Sequence, residues 1–135
     1  MKSPKEAIAE FASLANPSIY GCVRSVKMIW PRPQGNSVPC CPDGLVLEYY
    51  NNIEQDKALR IQFFDICKLC LPMDAYRGEP ELYTGMQRIG RIEIHDVSDR
   101  QLNGKRFYVE GEEFHYDDIH LYCADFHAEV IVIEE

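Results

Sequence analysis

Three kinds of side chain in this sequence could do chemistry. Six cysteines stand at Cys22, Cys40, Cys41, Cys67, Cys70 and Cys123. The four histidines come late, at His95, His115, His120 and His127. Carboxylates crowd the same stretch, at Glu93, Asp96, Asp99, Glu110, Glu112, Glu113, Asp117, Asp118 and Asp125. Thiolate, imidazole and carboxylate are the ligands of zinc and related metals, and an imidazole beside a carboxylate is also a general-base pair.

Spacing decides among these chemistries. Cys67 and Cys70 have metal or redox spacing, and Cys40-Cys41 is a second pair. Zinc held by thiolates needs its ligands to converge at about 2.3 Å from the ion. Cys67 and Cys70 fall in an alternating apolar pattern, where residues three apart face opposite ways. Redox pairs instead sit at a helix N-terminus, which lowers the thiol pKa. The expectation is therefore no metal at the cysteines, with Cys22, Cys67 and Cys123 serving as small buried hydrophobes. The run from His115 to His120 supplies His115, Asp117 and His120 as a candidate metal set, the basis of an alternative reading as a small metal-dependent enzyme. It lacks two histidines one helical turn apart, and reads otherwise as a polar turn. No Gly-x-Ser-x-Gly elbow and no glycine-rich phosphate loop occur, so a non-enzymatic protein without a cofactor is the preferred expectation.

Charge points the same way. The 135 residues carry 22 acidic and 14 basic side chains, a net charge of -8. Such a surface repels phosphate backbones, which excludes nucleic acid as the expected partner, and steers a basic protein instead. Between Asp96 and Asp118 seven acidic residues face only Arg100, Lys105 and Arg106. The expected partner surface is Asp96, Asp99, Glu110, Glu112, Glu113, Asp117 and Asp118, all in or beside turns. Tyr49, Tyr50, Tyr108, Tyr116 and Tyr122 are candidate aromatic anchors. The start of the chain lacks the apolar run of a signal peptide, and no stretch approaches about 18 apolar residues, so a cytoplasmic location without a membrane span is expected.

The elements that must position these groups are legible in the hydrophobic period. Ser3, Pro4 and Glu6 open a helix near residues 4 to 15, with Ala7, Ile8, Phe11 and Leu14 on one stripe. After about residue 20 the period changes to two. Val26, Met28 and Trp30 share one face of a first strand, followed by an irregular proline-rich loop over 31–44. Leu45, Leu47 and Tyr49 mark a second strand. Leu59, Ile61 and Phe63 mark a third, which runs on through Cys67 and Leu69 with a bend at Phe64-Asp65. Ile92 and Ile94 mark a fourth. Asn103-Gly104 is a tight-turn signal before a fifth at Phe107 and Val109. Ile119, Leu121 and Cys123 begin a sixth, whose parity shifts after Ala124-Asp125 to Phe126, Ala128, Val130 and Val132, as at a β-bulge. Length and composition fit one domain, residues 1–135. The expected fold is α+β, mainly β: an N-terminal helix within 1–18, then about six mostly antiparallel strands over 19–135 in a curved sheet or sandwich.

Three segments together resemble a known family: Leu59 to Leu71, Gly90 to Val109, and Ile119 to Phe126. Their succession is similar to small β-rich immunity proteins of bacterial polymorphic toxin systems. The resemblance lies in strand-forming residues of the C-terminal part. It implies a bacterial, non-enzymatic protein that binds and neutralises one toxin, and it transfers no binding residue, because such surfaces differ between members. An acidic sheet that competes with an anionic substrate for a basic toxin cleft is compatible with it. A self-associating adaptor domain is the remaining alternative, and the oligomeric state is not legible in the sequence.

Overall fold

The computed structural model describes residues 3–15, 21–36, 39, 41–50, 56–70, 88–112 and 119–133. Ser3 is the N-cap of α1 (Pro4–Leu14), and its Oγ accepts the Glu6 N–H at 3.2 Å. Pro4 sits where a missing N–H costs nothing. Ala7 and Phe11 are buried, while Ile8 and Leu14 pack beside them against the core. The Phe11 ring meets Phe126 edge-on at 6.2 Å, a geometry worth about 0.5–1.5 kcal/mol beyond the buried area. This contact ties the helix to the sheet.

The strands are β1 (Gly21–Ile29), β2 (Gly44–Tyr50), β3 (Lys57–Phe64), β4 (Cys67–Cys70), β5 (Arg88–Asp96), β6 (Phe107–Glu112), β7 (His120–Cys123) and β8 (Asp125–Val132). Every pairing is antiparallel, in the order β4-β7-β6-β5-β1-β2-β3-β8. Two sheets make up this order, β1-β2-β3-β8 and β4-β7-β6-β5. They meet where β5 touches the start of β1, at Gly21 opposite Gly90 and Cys22 opposite Arg88. Among the described residues this is one α-helix with eight strands, an α+β and mainly β fold. No helix among them is long and apolar enough to cross a membrane.

The six expected strands become eight because two of them bend. β3 turns into β4 through Asp65, whose φ of 52° is left-handed, and β7 turns into β8 through Ala124. The two bends lie side by side. Ala124 N–H donates to the Phe64 carbonyl at 3.1 Å, and Phe64 pairs with Asp125. Loop and hairpin lock the corner further: Ile66 N–H donates to the Asp43 carbonyl at 3.0 Å and Arg106 N–H to that of Cys123 at 3.0 Å. Bent strands that pass from one sheet to another are the usual way to make such a corner. The Asn103-Gly104 signal also holds: both have positive φ, 52° and 80°, between Leu102 and Lys105, as a two-residue hairpin turn requires.

The inner faces carry Leu45, Leu47, Tyr49, Leu59, Ile61, Phe63, Ile94, Phe107, Val109 and Leu121, all in the buried core. Three apolar positions depart from the alternation, Val130 at 41% exposure among them. Trp30 is 50% exposed because β1 has already ended at Ile29, and Val132 is 62% exposed near the end of β8, where the core has run out. One polar residue goes the other way. Glu48 is buried on the outer face of β1-β2-β3, opposite Ser25 and Arg60. A register shift between Val23 and Ser25 makes Arg24 an extra residue of β1, and its guanidinium also reaches Glu48, at 2.5 Å. Arg60 holds the other carboxylate oxygen through Nε at 2.9 Å and continues to Glu129 on β8 at 3.3 Å. Burial alone would raise the Glu48 carboxyl, but hydrogen bonds from Arg60, Ser25 and Arg24 outweigh it and hold the group below its ordinary value.

A depressed folded-state pKa stabilises the fold above the unfolded-state value, about 4.3 for glutamate, and that stabilisation is lost as pH falls through the lower folded value. Glu48→Gln should therefore cost about 1.5–3 kcal/mol at neutral pH, the range for hydrogen bonds to charged groups. It should also flatten the loss of stability on acidification. Urea unfolding of both proteins across a pH series measures this, and parallel pH profiles would show that the Glu48 ladder contributes nothing.

Candidate functional site

The outer face of β4-β7-β6-β5 is where the groups capable of chemistry gather. Ile92, Ile94, Phe107, Val109, Leu121 and Cys123 face the core, so alternation turns their neighbours outward. The register then aligns these neighbours in two rows across four strands. Glu93 lies opposite Glu110, Glu110 opposite His120, and His120 opposite Cys70. His95 lies opposite Tyr108, Tyr108 opposite Tyr122, and Tyr122 opposite Cys67.

The rows are in contact. His95 Nε2 lies 2.9 Å from Glu110 Oε1 and 3.6 Å from Glu93 Oε2. One ligand atom from each of Glu93, His95 and Glu110 lies within 4.8 Å of the others, the only such group of three or more among the described residues. The imidazole stacks on the Tyr108 ring at 6.0 Å, and Tyr108 packs on Tyr122 at 4.8 Å. Lys68 Nζ closes the row, 5.7 Å above the Tyr122 ring. Burial raises the Tyr108 phenol, and the charge on Glu110, the neighbouring Tyr122 and a hydrogen bond to Glu110 add to the shift.

One expectation is corrected here. Cys67 and Cys70 were expected to face opposite ways, but the strand between them is bulged. They stand opposite Tyr122 and His120, which are only two residues apart, so β4 carries an extra residue. Lys68, in the left-handed region at φ 52°, absorbs it. Both cysteines thus oppose residues of the same outward face. Only Cys123 of the three expected buried thiols is shown buried, since Cys67 is half-buried and Cys22 carries no described side chain. Burial, followed by the charge on Asp125, pushes the Cys123 thiol up to about 12.

The expected partner surface is spread over the length of the β5-β6 hairpin. Asp96 is exposed at one end, where its carboxylate accepts Ser98 N–H at 2.9 Å and Ser98 Oγ–H at 2.6 Å; these bonds hold its pKa down. Asp99 is exposed in the 3-10 turn at Ser98–Arg100. Glu110 stands mid-face, and Glu112 ends β6 opposite Arg91. Asp96 and Glu112 are therefore about 17 Å apart along the hairpin, at about 3.4 Å per residue. Glu113, Asp117 and Asp118 lie outside the described residues, as do His115 and Tyr116. Of the alternative set His115, Asp117 and His120, the structure places only His120, half-buried beside Glu110 on the neighbouring strand. Tyr49 is fully buried and cannot be an anchor, whereas Tyr108 and Tyr122 share the open face. The triad of Glu93, His95 and Glu110 was not assembled from the sequence. The period-two spacing of Glu93 and His95 signals a shared face, but only the hairpin register brings Glu110 to them.

One concavity lies away from this face and another at its edge. A cavity of about 270 Å³ under α1 is lined by Phe11, Leu14, Phe64, Arg106, Asp125 and His127 among others. A groove of about 410 Å³ runs past Cys67, Lys68, Asn103, Lys105 and Tyr122. Arg106 is engaged by the Ala124 carbonyl and Asp125, and Lys105 by Asp65 at 3.0 Å. Comparison with known proteins finds no matching family model, no matching curated protein and no matching solved structure.

The thiols offer a direct check on this arrangement. At pH 8 a thiol reagent should modify exposed Cys41 in the native protein and leave Cys123 protected until urea unfolds the chain, as peptide mass spectrometry would locate. Labelling of Cys123 at the rate of Cys41 would mean that the inner face of β7 is open.

Proposed function

We propose that this protein is a non-enzymatic binding module of immunity type, which neutralises a basic toxin domain in the bacterial cytoplasm. One observation carries the reading. Two tyrosines packed ring to ring stand on an open sheet face beside two carboxylates, with Asp96 and Asp99 exposed at one end. Aromatic anchors surrounded by charge are what a protein-docking surface needs. The rings supply contact area at little cost in conformational entropy, and the carboxylates steer a basic partner into register. The sheet holds these side chains rigidly, because their inward neighbours are locked in the core. The net charge of -8 gives long-range attraction of the right sign. The resemblance of the C-terminal segments to immunity proteins agrees with this assignment and supplies the class of partner.

The test is protection. Expression of this chain should rescue growth of cells producing the toxin domain encoded beside its gene, and the two proteins should form a complex measurable by calorimetry. Tyr108→Ala combined with Tyr122→Ala should weaken that complex by about 2 kcal/mol or more, roughly thirtyfold. Asp96→Lys with Asp99→Lys should mainly slow association and reduce its salt dependence. A neighbouring gene without a toxin domain, or a toxin equally lethal with and without this chain, overturns the proposal.

A further inference from the structure

The β5-β6 hairpin sets two carboxylates directly opposite one another, Glu93 and Glu110. Like charges at paired positions of a sheet destabilise it unless a cation lies between them. The side chain beside them is His95, with Nε2 at 2.9 and 3.6 Å from their oxygens. A metal ion bound by all three groups would lie between the two carboxylates.

The geometry points to a divalent transition-metal site made by Glu93, His95 and Glu110, with zinc as its representative ion. Ligand atoms around a tetrahedral zinc at about 2.0–2.1 Å lie about 3.3–3.4 Å from each other. The two measured separations fall on either side of that spacing, and all three ligand atoms lie within 4.8 Å of one another. Only small side-chain adjustments are needed, and the backbone need not move, because one hairpin carries all three residues. The donor set selects the class of ion. An imidazole nitrogen with two carboxylate oxygens suits zinc and its first-row neighbours, whereas magnesium and calcium take oxygen donors. The outer shell of such a site is also present. The Tyr108 ring stacks on the imidazole, restraining that ligand before a metal arrives.

Three protein ligands leave at least one coordination position open, and here it faces solvent, since His95 is exposed and Glu93 and Glu110 are partly so. His120 stands opposite Glu110 on β7. The site differs from the cysteine set and from the set of His115, Asp117 and His120. It does not depend on toxin binding, so each proposal can fail without the other.

The experiment is a zinc titration of the full, reduced chain, followed by calorimetry and by competition with a chromogenic chelator. One zinc should bind per chain, more weakly at acid pH, because imidazole and carboxylates must be deprotonated to bind. His95→Ala and Glu110→Gln should each weaken binding at least about tenfold, a loss that even outer-shell changes bring to metal sites. Circular dichroism should show both variants folded, since neither side chain is buried. Cys67→Ser with Cys70→Ser should leave the affinity unchanged. If His95→Ala and Glu110→Gln bind zinc as the parent does, or if the double cysteine variant is the one that loses it, the site is overturned. If the parent binds no zinc at all, the inference also falls.

Discussion

The fold depends on one corner. Two neighbouring strands have to leave one sheet and enter another without losing their partners, and they do so side by side at Asp65 and Ala124. A bend in one strand alone would break the ladder. With both bent, Phe64 still pairs with Asp125 and Cys67 with Tyr122. The orphaned backbone groups of the corner are taken up by the loop before β2 and by the β5-β6 hairpin, through Asp43 and Arg106. Buried polar backbone is costly when unpaired, so this closure brings the long loop and the hairpin into the same cooperative unit.

The consequence is a molecule with one core and two outward faces. On each face, cross-strand register has arranged polar side chains into rows, with opposite results. In the first sheet Glu48 is buried between Arg24 and Arg60, so its charge is neutralised within the fold. In the second, Glu93 and Glu110 oppose one another, with the His95 imidazole within reach of both. The second face gathers an imidazole and two carboxylates within ligand distance of one another, next to packed tyrosines. That convergence is why the second sheet carries both proposals.

Most of the fold was determined by the sequence itself. Ser3, Pro4 and the stripe through Phe11 specify α1, because capping and helical period are local properties. The alternations Leu45-Leu47-Tyr49, Leu59-Ile61-Phe63 and Ile119-Leu121-Cys123 specify strands and their inner faces, because a period of two has only one way to bury an apolar set. Asn103-Gly104 specifies its turn through positive φ, and the bend at Ala124-Asp125 left a trace as a shift of parity. What only the tertiary structure decided is what non-local register decides. Nothing near Glu93 and His95 in the chain says that Glu110 will stand across from them, nor does anything near Glu48 say that it will be enclosed by Arg24 and Arg60. The bulge at Lys68 reversed the expected orientation of Cys67 and Cys70, because a single inserted residue flips every side chain beyond it, and a residue's willingness to enter the left-handed region is not written in the hydrophobic pattern. Periodicity assigns a side chain to a face, but its neighbours on that face come from strands folded in from elsewhere, and the chemistry of this protein lies in those neighbours.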